Sequence, residues 1–119
     1  MPNPDCPTVL EIADHVGRAM SHGWNVIPLT HGQSIGPVGE SPWTDPNPIV
    51  LDTSAALATG YEPAVTYAAA IPTLVEAALV ETSQRDWRDV YPEFASYAGA
   101  MFDYRAEDDF LKQQRLLLT

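Results

Sequence analysis

Cysteine is almost absent from this chain. Cys6 is the only one, so no intrachain disulfide can form. It sits between Asp5 and Pro7, with no basic neighbour to lower its pKa, which makes it a plain thiol and not a nucleophile. Positive charge is nearly as scarce. Lys112 is the only lysine, and six Lys and Arg face sixteen Asp and Glu, a formal net charge of −10. A field of that sign repels phosphate backbones and anionic bilayers, so neither nucleic acid nor a membrane surface is an expected partner. Long apolar runs are missing too, and none approaches the ~20 residues that cross a bilayer. The N-terminal Met-Pro-Asn-Pro-Asp-Cys-Pro lacks the basic start and apolar stretch of a secretory signal. These absences predict a cytoplasmic protein.

What is present suits a folded domain. The chain is 45% hydrophobic and carries three tryptophans, well above the composition of a disordered segment. Its 119 residues predict a single domain with an α/β core over residues 8–82 and an aromatic-rich helical tail over 83–119. Thr8 and Glu11 have the spacing of a capping box and predict a helix to about Ser21. Val9, Ile12, Val16 and Met20 form its inward stripe, and Gly23 its left-handed stop. Asn25–Thr30 and Ile49–Leu51 read as short strands, the first weakened by Pro28. Between them, residues 31–48 hold glycines at 32, 36 and 39 and prolines at 37, 42, 46 and 48, a long mobile loop. Asp52, Thr53 and Ser54 offer caps for a helix to about Thr59, with Gly60 as its stop. Thr66 caps a longer helix to about Thr82, faced by Ile71, Leu74, Val75, Ala78 and Leu79, in which Pro72 predicts a kink or a detached first turn. Gln84–Val90, halted by Pro92, and Ala106–Leu118 complete the helices. The expected fold is therefore α/β and helix-rich: a small two- or three-stranded sheet with about four to six helices.

Three segments, in order, carry a family resemblance: Pro7–Gly17, Ile49–Ile71 with its Thr59-Gly60-Tyr61-Glu62-Pro63 turn, and Phe102–Leu111. They resemble the C-terminal substrate-binding lobe of extended short-chain dehydrogenase/reductases, the NAD-dependent epimerase/dehydratase family. The resemblance implies a lobe that normally follows a dinucleotide-binding Rossmann domain. Chemistry in that family rests on a Tyr-x-x-x-Lys pair, in which lysine lowers the tyrosine pKa. Here the residues four places after the tyrosines are Val65, Ile71, Ala95, Met101 and Asp108. The glycine series Gly32-Gln-Ser-Ile-Gly36-Pro-Val-Gly39 follows a strand candidate, but Pro37 interrupts it and no helix signal follows to cradle a pyrophosphate. A chain with neither device is expected to lack catalysis and cofactor on its own.

The remaining candidate sites have plain readings. His15 and His22 are seven apart with no companion at ligand spacing, so no metal site is expected. Glu107, Asp108 and Asp109 suit a helix N-terminus. Trp43, in a Pro-Trp-Thr segment, Tyr61 in the turn, and Arg85 and Arg88 among the few cations are the candidates for a ligand or partner surface. The leading expectation is a noncatalytic, stand-alone lobe that binds a small molecule or a protein and covers its orphaned face as a homo-oligomer. One alternative is the C-terminal part of a sugar-nucleotide epimerase/dehydratase completed by a separate Rossmann-domain partner. The other is an acidic interaction or scaffold domain.

Overall fold

In the computed structural model, residues 6–29, 36–39, 41, 47 and 49–117 are described. The contacts divide the chain into two units. The first comprises Met1–Val26 with Asn47–Gln84, and the second Ile27–Pro46 with Arg85–Thr119.

Threonines start the two long helices of the first unit. Helix α1 (Val9–Ala19) begins at a complete capping box. The Glu11 N–H donates to Thr8 Oγ1 at 3.2 Å, and the Thr8 N–H donates back to the Glu11 carboxylate at 2.7 Å. Two amides that a helix start leaves unpaired are thereby satisfied. The left-handed residue beyond α1 is Ser21, at φ 53°, and not Gly23 as expected. Helix α2 (Ser54–Ala58) is a single turn, ended by Gly60 at φ 86°. Helix α3 (Tyr67–Thr82) starts where Thr66 Oγ1 accepts the Ala69 N–H at 3.3 Å.

Helix α3 packs on α1 through a stripe at helical spacing. Tyr67, Ala70, Ile71, Val75, Ala78 and Thr82 are the covered positions, with Ile71 buried. Leu74 and Leu79, expected on that face, are 61% and 46% exposed. The helix also runs through Pro72 without a break, so no first turn is split off. In α1 the expected stripe is covered at Ile12 and Val16, while Val9 and Met20 stay exposed.

The second unit is a chain of short helices: α4 (Trp87–Val90), α5 (Pro92–Ala98), a 3-10 turn (Gly99–Phe102) and α6 (Tyr104–Leu117). Pro92, expected to halt a helix, also begins one. At the first position of α5 its missing N–H costs nothing and its fixed φ suits the turn. Asp86 caps α4 by accepting the Arg88 N–H at 2.9 Å, and Asp103 accepts the Ala106 N–H at 3.0 Å at the start of α6. Val38, Ala98 and Phe110 are the buried apolar residues of this unit.

The expected two- or three-stranded sheet is not formed: the described residues contain no strand, only a lone bridge position at Val38. Residues 25–29 and Ile49–Leu51 are neither helix nor strand, and Thr30 lies outside the described residues. The physical reason is locality. A helix closes its hydrogen bonds four residues away, whereas a strand needs a remote partner, and an isolated pair is marginal in water. Pro28 removes one donor from the first segment, and the second is three residues long.

Candidate functional site

Two open hollows mark the first unit. One, of about 500 Å³, lies between the end of α1 and α3, lined by Ala19, Pro72, Glu76, Leu79, Val80 and Ser83. Its walls follow from α3 being apolar around most of its circumference: Val80, opposite the packed stripe, is 64% exposed. Among the described residues Glu76 is its charged liner.

The other hollow, of about 380 Å³, runs along α1 beside Trp24, with Leu10, Asp14 and Arg18 in its wall. The Trp24 indole N–H donates to the Ala13 carbonyl at 2.8 Å, which folds the chain after α1 back onto the helix. His22 stacks edge-on to that indole with centroids 4.4 Å apart. Gly17 makes the approach possible. A Cβ there would stand 2.6 Å from the indole nitrogen and 2.8 Å from the His22 carbonyl oxygen. Arg18 is paired with Asp14 at 2.7 Å, in solvent, where such a pair contributes little.

In the second unit three aromatic rings meet. Trp87 lies 6.0 Å from Phe94 and 5.1 Å from Phe102, and Phe94 lies 6.0 Å from Phe102. These are the tilted and edge-on distances that aromatic quadrupoles favour. Arg88 covers the Trp87 ring at 4.6 Å while its guanidinium reaches Asp86 at 3.5 Å. Phe94 stays half exposed, and Tyr97 and Tyr104 are largely exposed.

The expected ligand or partner residues fall in separate places. Tyr61, exposed after Gly60, belongs to the first unit; Arg85 and Arg88 belong to the second. Trp43 lies outside the described residues, as do His31 and most of the 31–48 loop. Of the glycine series, Gly36 and Gly39 are described and both take positive φ, 59° and 78°. Trp24 is 46% exposed, and its role is visible in the sequence only as an aromatic after a glycine. His15 meets Tyr67 edge-on at 5.8 Å, an aromatic contact between α1 and α3.

The electrostatics describe caps. Hydrogen bonds from the Thr8 backbone and then its hydroxyl hold the Glu11 carboxyl below the usual glutamate range. The Ser54 hydroxyl and then its N–H do the same for Asp52. Both carboxylates are in water, at helix starts, where stabilising the anion is structural. Among the described residues no polar or charged side chain is buried, and no group of three His, Cys, Asp or Glu is placed to hold a metal ion. No helix among them is long and apolar enough to cross a membrane. What the arrangement offers chemically is apolar and aromatic surface. Compared with protein families, characterised proteins and solved structures, the chain matches none.

Proposed function

We propose that this chain is a noncatalytic interaction module that works as a self-associated assembly. One observation carries this reading. Among the described residues, nineteen large apolar or aromatic side chains are exposed, against four buried hydrophobic residues. Scattered exposed apolar residues are ordinary, but Ile49, Val50 and Leu51 are exposed in succession, and a high share of exposed large apolar side chains is what marks interaction surfaces. A second copy is the simplest cover, because each chain then supplies the surface its twin lacks. The high negative charge keeps the remaining surface dispersed.

On this reading the likeness of Ile49–Ile71 to a dehydrogenase substrate lobe reflects ancestry and not activity. Binding a nucleotide sugar would ask for cations to meet its diphosphate. Six Lys and Arg stand against sixteen Asp and Glu, a balance that favours a protein surface over an anionic ligand.

Sedimentation velocity at micromolar concentration tests the proposal, and a dimer or larger species is expected. A monomer throughout that range would overturn it. Thermal melts with nucleotide sugars and nicotinamide cofactors should leave the transition unmoved, since only a ligand that binds the folded chain raises it.

A further inference from the structure

The hollow on α3 is one-sided in its chemistry. Pro72, Glu76, Leu79, Val80 and Ser83 recur at i, i+4, i+7, i+8 and i+11, so they form one stripe of the helix, with Ala19 from the end of α1 beside it. The stripe runs for about 16 Å, three turns, long enough for a second helix to lie along it. Leu79 and Val80 present apolar side chains to water, and Glu76 stands exposed among them. Its carboxylate makes no hydrogen bond or ion pair with the described residues.

Nothing positive in the first unit answers that carboxylate. Helix α3 contains no Lys or Arg, and its last turn has no basic residue to meet the partial negative charge of a helix end. Arg18 is the only Lys or Arg in residues 1–26 and 47–84, and Asp14 holds it at 2.7 Å. From this unit a second copy would bring the same deficit. We infer that the groove takes an amphipathic helix of a different, basic protein, its apolar face on Pro72, Leu79 and Val80 and a Lys or Arg reaching Glu76. Charge complementarity names this occupant. An acidic helix would set like charges beside Glu76 and the end of α3, and a wholly apolar helix would cover the carboxylate without a partner, which is costly. An amphipathic helix in an apolar groove places its cation where the groove has its anion. This docking stands beside the self-association proposed above and does not depend on it.

The probe is a Leu-Lys amphipathic peptide of about 18 residues, long enough to hold a helix, with a Leu-Glu peptide of equal length as its counterpart. Fluorescence anisotropy in physiological salt, where the screening length is ~8 Å, should show the full chain binding the first and not the second. Glu76→Lys should weaken that binding at least about tenfold, and Val80→Gln about fivefold or more. Glu62→Lys makes the same change of charge outside the groove wall, before the start of α3, and should change affinity by less than about twofold. Helical circular dichroism should be alike in all three variants, since these side chains are exposed. Amide chemical shifts in the parent chain should move at Ala19 and along residues 72–83 when the basic peptide is added. No binding of that peptide overturns the proposal. Equal losses in Glu76→Lys and Glu62→Lys would mean a general attraction to an acidic chain, and full affinity in Val80→Gln would mean that the apolar stripe is not used; either result overturns it. Shifts confined to residues away from the groove would overturn it without recourse to any variant.

Discussion

At Gly17 a single hydrogen atom decides how the chain leaves α1. Any side chain there would occupy the place of the Trp24 indole, 2.6 Å from the added Cβ, and would press on the His22 carbonyl. Gly17→Ala should therefore destabilise the chain by about 1–3 kcal/mol, although alanine is the better helix former. Urea unfolding followed by tryptophan fluorescence checks this, because the displaced indole also loses its bond to Ala13. Glu11 makes a second prediction at this scale. Its folded-state carboxyl titrates below the unfolded one, held down by the Thr8 N–H and hydroxyl. The stabilisation it provides is complete above the usual glutamate range, about pH 4–5, and is lost as pH falls through the lower folded value. Amides at the start of α1 should exchange faster on acidification, and Glu11→Gln should remove that acid response. The capping box is legible in the sequence because both partners lie within one turn. The Gly17–Trp24 contact is not, since nothing in the spacing of a glycine and a tryptophan says which way the chain turns between them.

Among the elements, α3 is the least expected. Pro72 should interrupt it, yet the helix is continuous from Tyr67 to Thr82. Packing explains the difference: Ile71, Val75 and Ala78 hold the helix on α1 from both sides of the proline. The missing N–H still leaves the Ala68 carbonyl without its helical donor. Pro72→Ala should raise stability by about 2 kcal/mol, the helix propensity difference less the entropy regained by the unfolded chain. The proline is exposed, so little packing is lost, and a higher urea midpoint at constant slope is the expected result. Helix α5 escapes a reading of the sequence for the opposite reason. Pro92 reads as a stop for the preceding helix, although the same ring is well suited to the first turn of the next one. The strand expectations fail at residues 25–29 and 49–51 because β-branched composition describes a preference and supplies no partner.

For the molecule as a whole, surface is the dominant fact. The described residues bury Ile71 in the first unit and Val38, Ala98 and Phe110 in the second, while whole runs of large apolar side chains face solvent. Such surface favours association, while the acidic charge opposes the close approach of two copies. A dimer or larger species at micromolar concentration is the expected behaviour at this scale, checked by sedimentation velocity. Caps, the Gly60 stop and the helices other than α3 were settled locally: each depends on residues within four positions of one another, and amino-acid order alone specifies those interactions. Tertiary structure decided the rest. Whether Leu74 and Leu79 are covered, whether Trp24 folds onto α1, and whether Ile49–Leu51 finds a backbone partner all depend on groups distant in sequence. Hydrophobic burial has no direction of its own, so the chain's order can mark a side chain as apolar without saying what will cover it.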